Sequence, residues 1–238
     1  MSRVFVIAEA ACTWLHGGLE AAYRSIEAAK KCGADAWKTQ FTSSPSEMGK
    51  RRGVDPEKYE RLNWDPAWLP KLQAMCGEYG LEFMCTVFLP KDVARIAPYV
   101  ERFKVSAFEQ PHLREFQSAV RGCEGELNDW VVSVNPGRPI DPYCDRVTNL
   151  HCVSQYPTPL SQAIISAVRT LDGLSDHTTS LLTGAVAVGA GARILEKHVR
   201  MVDTPETDPD FGHSLLMEMR DCEFSRYVEY VREAERML

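Results

Sequence analysis

Residues 4–41, VFVIAEAACTWLHGGLEAAYRSIEAAKKCGADAWKTQF, hold the pattern on which the fold turns. Val4 to Ala8 is a continuous apolar run. Leu19, Ala22, Tyr23, Ile26 and Ala29 then recur at helical spacing up to Lys31, where Cys32-Gly33 ends the helix. Ala36 to Phe41 reads as a second strand, and the unit repeats along the chain. After a polar loop, Pro66 to Tyr79 reads as a helix with Gly80 at its left-handed cap. Phe83 to Phe88 with Pro90 to Val100, and Phe103 to Ala107 with Leu113 to Arg121, give the next strand–helix pairs. Trp130 to Val134 is a fifth strand, and the proline-bearing connection Asn135 to Val147 is too short for a full helix. Leu150 to Tyr156 precedes a helix over Leu160 to Leu171, Gly173 to Thr178 precedes one over Leu181 to Gly189, Ile194 to Val199 is the eighth strand, and a helix over about Met219 to Met237 closes the chain. Short strands that are apolar on both faces, each followed by a helix, imply an all-parallel buried sheet. At 238 residues, a closed single-domain (β/α)8 barrel, the TIM barrel of the α/β class, is the expected fold, with an open doubly wound sheet as the alternative.

Composition agrees with a globular chain and narrows its function. With 45% apolar and 25% charged residues, disorder and fibrous repeats are excluded. A net charge of −6 provides no electrostatic footprint for general nucleic-acid binding, so any anionic substrate must be held locally. The eight cysteines form no CxxC pair, and no signal-peptide apolar run follows the N-terminus, which together point to a reducing cytoplasm. The longest apolar-leaning stretch, Leu181 to Ala192, is interrupted by glycines and falls short of the roughly 18 residues a membrane span needs. Partners are therefore expected to be small-molecule substrates, with a homodimer left open.

In a barrel of this kind the active site lies at the C-terminal ends of the strands. Glu9 ends the first; Lys38 and Gln40 belong to the second and Thr86 to the third; Lys104 and Glu109 bracket the fourth. Ser154 and Tyr156 end the sixth, Ser175, Asp176 and His177 the seventh, and Glu196, Lys197 and His198 the eighth. Neighbouring parallel strands lie about 4.8 Å apart, so His177 and His198 can offer two imidazoles to one divalent ion while leaving positions open for substrate and water. Lysines are rarely buried without a partner, and Lys38 and Lys104 inside apolar strands ask for an anion. Snorkelling to the rim is their alternative.

The segments IAEA, GADAWKTQF, GLEFMCTVF, RFKVSAFE, LHCVSQYPTP, GLSDHT and ILEKHV, in this order, resemble the sialic acid synthase family. That resemblance implies condensation of phosphoenolpyruvate with an aldose to a 2-keto-3-deoxy acid, with release of phosphate, assisted by Mn2+ or Mg2+. It implies that His177 and His198 hold the metal, and that Glu9, Lys38, Lys104, Glu109 and Tyr156 are catalytic. Gln40, Thr86, Ser106, Ser154, Ser175 and Asp210 are expected to bind substrate; Lys38, Thr86, Lys104, Tyr156 and Ser175 would surround phosphoenolpyruvate, and Glu9, Gln40 and Asp210 the aldose. The chain also departs from the pattern. Ala107 stands where the family has a serine, with Ser106 displaced by one. CTWLHGG replaces the usual NHxG, putting His16 near the family histidine, and the stretch from His198 is one residue longer, which favours Asp210 over Asp208. The antifreeze-like domain that follows the barrel in sialic acid synthases is missing from the sequence, so an acceptor other than N-acetylmannosamine is expected. The loop Thr42 to Asp65, with Lys50-Arg51-Arg52 and Trp64, is the candidate to close the site, although Lys50 to Arg52 read by themselves as a solvated basic run. Cys85 and Cys152 are expected to be small buried hydrophobes. A metal-dependent isomerase or aldolase and a non-catalytic binding barrel are the competing readings.

Overall fold

The computed structural model describes residues 3–120, 129–140, 144, 146–218 and 221–238. Eight parallel strands, β1 (Phe5–Ala11), β2 (Ala36–Phe41), β3 (Glu82–Val87), β4 (Arg102–Val105), β5 (Asp129–Val134), β6 (Val147–Cys152), β7 (Gly173–Asp176) and β8 (Ile194–Arg200), pair in chain order. β8 returns to β1, with Ile7 opposite Glu196 and Glu9 opposite His198. The sheet is therefore closed, and the expected (β/α)8 barrel is the observed fold. A short strand, β9 (Leu215–Leu216), extends β8 alone. Among the described residues, no helix is long and apolar enough to cross a membrane.

Alternation along the strands sorts side chains between the interior and the helical jacket. Ile7, Ala36, Met84, Val131, Leu150 and Ile194 form a separate apolar cluster that fills the lower interior. Gly173 belongs to this level, where a Cβ would lie 1.9 Å from the Ile194 carbonyl oxygen. One level up, the interior turns polar on seven of the eight strands, at Glu9, Lys38, Thr86, Lys104, Ser133, Ser175 and Glu196, all buried, while β6 places Cys152 there. The apolar plug thus forces polar groups toward one end, where they form the floor of a cavity.

Outside, α1 (Gly18–Lys31) buries Ala21, Ala22, Ile26 and Ala29 on one stripe and ends before Gly33, whose φ is +88°. The chain's end packs back beside its beginning. In the last helix, Arg232 reaches both the Val4 carbonyl (2.7 Å) and Asp35 Oδ2 (3.1 Å).

Several elements differ from expectation. The loop after β2 is largely helical: α2 (Pro45–Arg52) starts at Ser44, whose side chain accepts from the Glu47 amide, and Pro45 suits its first turn. A 3-10 segment follows over Pro56–Leu62. Trp64 pins this excursion to the barrel by donating to the Gln40 carbonyl at 2.7 Å and packing edge-on against Phe41 and Trp14. The helix expected over Leu160 to Leu171 is two 3-10 pieces, Leu160–Gln162 and Ile165–Thr170, separated by Ile164 in the left-handed region at φ 43°. The remaining α-helices are α3 (Leu69–Glu78), α4 (Pro90–Ile96), α5 (Leu113–Val120), α6 (Thr183–Gly189) and α7 (Glu223–Arg236). Arg121 and Met219, expected at helix ends, lie outside the described residues, as do residues 141–143 and 145 of the connection after Asn135.

Candidate active site

A cavity of about 670 Å³ opens at the C-terminal ends of the strands. Its lining includes every residue expected to be catalytic, substrate-binding or metal-ligating except Glu109: Glu9, Lys38, Gln40, Thr86, Lys104, Ser106, Ser154, Tyr156, Ser175, His177, His198 and Asp210; Glu109 lies behind it, joined to the lining residues Arg52 and Ser106. His16 is elsewhere, with Nδ1 donating to the Thr13 carbonyl (2.8 Å) and Nε2 3.6 Å from Asp203.

At the floor, neither buried lysine is free. Lys38 contacts Glu9 Oε2 directly, donates to Thr86 Oγ1 at 2.8 Å and lies 3.4 Å from Glu196 Oε2. Lys104 donates to Ser133 Oγ at 2.8 Å and lies 3.5 Å from Glu196 Oε1, which also accepts from Ser175 Oγ at 2.7 Å. Gln40 Nε2 donates to the other Glu9 oxygen at 2.8 Å. The anion that the lysines demand is thus internal, and Glu196 is its centre. Burial alone would raise the Glu196 carboxyl, but Lys104 and Lys38 overrule it and hold the group well below the usual carboxylate range. Burial also opposes the charge on Lys38, yet Glu196 and Glu9 keep its ammonium above its ordinary value. For Glu9, burial dominates and raises the carboxyl despite Lys38. Glu196 was visible at a strand end but was given no role. Its signal was parity: Glu196 and His198 are two apart and both face inward. Lys197 points outward instead, donating a hydrogen bond to Asp176 Oδ2 at 2.8 Å.

Higher on the wall, Arg52 of α2 clamps Glu109, donating from Nε (3.0 Å) and Nη2 (2.7 Å) to Oε1, while Ser106 donates to Oε2. The guanidinium lies 4.5 Å from the Phe108 ring centre, within cation–π range. Reading residues 50–52 as a solvated run is therefore wrong for Arg52, which the capped helix turns inward; Lys50 is exposed. Arg61 likewise bonds Asp210 Oδ2 (2.6 Å) and Asp208 Oδ1 (3.2 Å). Ser154 stands at the mouth, donating to Asn135 Oδ1 at 2.9 Å.

Next to the Arg61–Asp210 pair the aromatic residues cluster. His177 and His198 are 5.3 Å apart between ring centres, and His213 is 4.6 Å from His198. Tyr156 lies over them, 4.2 Å from His177 and 5.0 Å from His213. His177 Nδ1 faces the Val153 carbonyl at 2.8 Å, which sets its tautomer and turns Nε2 toward Ser175. Burial pushes His177 down to about 4 and His198 well below its ordinary value, so both imidazoles are neutral near pH 7 and available as ligands. His198 Nδ1 and His213 Nε2 are buried without a hydrogen-bond partner. These orphaned donor atoms, next to the Asp210 carboxylate, fit a divalent cation. His213 was missed by sequence reasoning. It follows Asp210 by three residues in a 3-10 turn, a spacing that brings the two onto one side. Cys85 and Cys152 are buried as expected.

Around the whole cavity, Lys38, Arg51, Arg52, Lys58, Arg61, Lys104 and Arg138 stand against Glu9, Glu196 and Asp210. A chain of net charge −6 has thus gathered an excess of cations at one site, as a receptor for a small polyanion would.

Fold and site together define a (β/α)8 barrel with a cationic, histidine-rich active centre at its strand ends. The NeuB family profile matches residues 25–238, and the chain belongs to that family. It is 29% identical to N,N'-diacetyllegionaminic acid synthase of Legionella pneumophila, over 98% of this chain and 73% of that protein. It is 28% identical to pseudaminic acid synthase of Campylobacter jejuni, over 99% and 75%. The N-acetylneuraminic acid synthetase of Leptospira borgpetersenii, solved with citrate, superposes with a TM-score of 0.82 at 22% identity, over 99% of this chain and 85% of that one.

Proposed function

We propose that the protein condenses phosphoenolpyruvate with an aldehyde, an aldose or aldose-like acceptor, to a 2-keto-3-deoxy acid and phosphate. The observation that carries this reading is the pair of buried lysines on the floor of a cation-rich cavity that histidines also line, in a chain whose relatives include a diacetyllegionaminic acid synthase and a pseudaminic acid synthase by name. Lys38 and Lys104 receive the carboxylate and phosphate of phosphoenolpyruvate, exchanging their internal carboxylate contacts for the ligand's. A divalent ion, Mn2+ or Mg2+, held at the histidine cluster would supply Lewis-acid polarisation of the aldehyde oxygen. The enol carbon forms the new bond to the aldehyde carbon, water adds at the phosphate-bearing carbon, and phosphate leaves with its bridging oxygen. Glu109, fixed by Arg52 and Ser106, is placed to take the proton of that water. Glu9, held between Lys38 and Gln40, orients acceptor hydroxyls.

A metal-dependent isomerase or aldolase would have no use for two anion-holding lysines. Incubation with phosphoenolpyruvate, Mn2+ and a panel of aldehydes, followed by phosphate assay and mass spectrometry, tests the proposal. Phosphate release that requires both phosphoenolpyruvate and an aldehyde supports it. Aldehyde isomerisation or cleavage with no need for phosphoenolpyruvate overturns it.

A further inference from the structure

The joint between the two ends of the chain holds a pair of cysteines that the active site does not use. Cys32 caps the C-terminus of α1, and Cys222 caps the N-terminus of α7. They stand 190 positions apart in sequence, yet their Sγ atoms are 3.4 Å apart and both thiols are free. A disulfide bond is about 2.05 Å long, so an approach of about 1.4 Å separates the pair from a covalent link. The seat around them is held from several sides. Gly33 follows Cys32 with φ +88°, and a Cβ there would lie 3.2 Å from Val228 of α7, so the two helices meet closely at this point. One turn further along α7, Arg232 donates to the Val4 carbonyl at 2.7 Å and to Asp35 at 3.1 Å. Both thiols also face the Glu218 carbonyl, Cys32 at 3.5 Å and Cys222 at 3.6 Å. Packing and backbone contacts thus hold the sulfurs side by side before any bond forms.

The two thiols are not equivalent. Cys222 Sγ accepts from the Ser225 amide at 3.4 Å, at the positive end of a 14-residue helix. The Cys32 thiol beside it favours a thiolate at Cys222 and holds that group below its ordinary value despite burial, while the same contact, with burial, pushes Cys32 up. Cys222 is therefore the nucleophile of the pair, and Cys32 is the thiol that keeps its proton. Access also sets them apart from the cysteines of the barrel. Cys32 and Cys222 are 6% and 7% exposed, whereas Cys12, Cys76, Cys85 and Cys152 are at 2% or less, so a small oxidant reaches the pair first.

We propose that Cys32 and Cys222 are a redox pair which peroxide converts reversibly to a disulfide, clasping the start of α7 to the end of α1. The Cys222 thiolate attacks one peroxide oxygen and the O–O bond breaks; the other oxygen leaves as hydroxide, takes up the proton that Cys222 had lost and becomes water, and Cys222 becomes a sulfenic acid. Cys32 then attacks the Cys222 sulfur, its thiol proton passes to the departing hydroxyl, and a second water leaves. Two thiols have given up two electrons and two protons, and one peroxide has become two waters. A thiol reductant reverses the step by exchange. The bond closes a loop of 190 residues, and a loop of that length restricts the unfolded chain strongly. Neither cysteine lines the cavity, so the clasp acts on the stability of the barrel and does not depend on the condensation reading.

The test takes the full chain, fully reduced, and exposes it to hydrogen peroxide at neutral pH. Peptide mapping without reductant is expected to find Cys32 joined to Cys222, with two hydrogens lost from the intact mass and restored by dithiothreitol. Thermal melts are expected to place the oxidised form about 5–15 °C above the reduced one. Cys32→Ser is expected to stop at the sulfenic acid, which dimedone traps at Cys222, and to lose the gain in melting temperature. Cys32→Ala gives the same readout if the serine variant does not fold by circular dichroism, and mapping of the wild type decides without either. A peroxide-treated wild type that keeps both thiols, that carries them only as separate sulfinic acids, or that links them with no rise in melting temperature overturns the proposal.

Discussion

Replacing Glu196 by glutamine removes the negative charge that the two buried lysines share while keeping shape and an acceptor for Ser175. The Glu196 carboxylate lies 3.4 Å from Lys38 Nζ and 3.5 Å from Lys104 Nζ. At an effective dielectric of about 20, each attraction is worth about 5 kcal/mol before desolvation is charged against it. Breaking a buried ion pair from one side costs about 3–5 kcal/mol net. In a domain of this size that predicts a melting temperature lower by about 6–20 °C. The loss should be pH-dependent. The folded value of Glu196 is depressed, so its contribution is complete above the unfolded value near 4.3 and disappears as pH falls toward the folded one; the gap between wild type and Glu196→Gln should close in that acid window. Phosphoenolpyruvate should narrow the gap at neutral pH, because the bound anion supplies the charge that the variant lacks. Thermal melts by circular dichroism, with and without phosphoenolpyruvate, read all three effects. A drop smaller than about 2 °C at pH 7, below what any uncompensated buried charge should cost, would refute the argument.

Lys38→Met and Lys104→Met should each weaken phosphoenolpyruvate binding more than acceptor binding, since each deletes a charge-assisted contact; calorimetric titration of each substrate decides, and equal losses count against the assignment. Metal-free protein should lose stability as pH falls from about 6.5 toward 4, because buried His177 is pushed down to about 4 and the unfolded chain takes up the proton first. For His177 alone this amounts to about 3 kcal/mol by the bottom of the window, and His177→Gln should flatten the urea-denaturation profile there. Cys222 is lowered to about 5 by the Cys32 thiol 3.4 Å away, whereas burial raises Cys12, Cys76, Cys85 and Cys152. Iodoacetamide at neutral pH should therefore label Cys222 ahead of those four, as peptide mapping would show.

Much of the barrel was legible because a parallel strand covered on both faces must be apolar throughout, so polar residues at its end stand out. Lys38, Lys104, His177 and His198 were found in that way, and the cavity gathers them. What was missed has physical causes. α2 has a readable cap in Ser44, Pro45 and Glu47, but Lys50, Arg51 and Arg52 give it no apolar stripe, so a helix that swings an arginine into the site resembled a solvated loop. The segment after β6 has helical composition, yet its chain breaks at Ile164, whose left-handed φ no residue type announced. His213 and Arg61 are far apart in sequence and meet only through Asp210.

The corrections share one direction. Cations around the cavity, the two lysines expected to need an anion among them, are already neutralised inside the protein: Lys38 by Glu9, Lys104 by Glu196, Arg52 by Glu109 and Arg61 by Asp210. Leaving several cations unpaired at the bottom of a barrel would cost more than a marginally stable domain has in reserve. Pairing them solves the folding problem and shapes binding, because each internal partner competes with the substrate's anion for its cation. Affinity is then a difference between two good electrostatic arrangements. It follows that removing a partner carboxylate and removing a lysine have opposite signs at this site. Glu196→Gln should destabilise the free protein and tighten an anionic ligand, whereas Lys104→Met removes the ligand's anchor. That opposition separates an electrostatic exchange site from a set of residues that merely line a cavity, for which both changes would weaken binding alike.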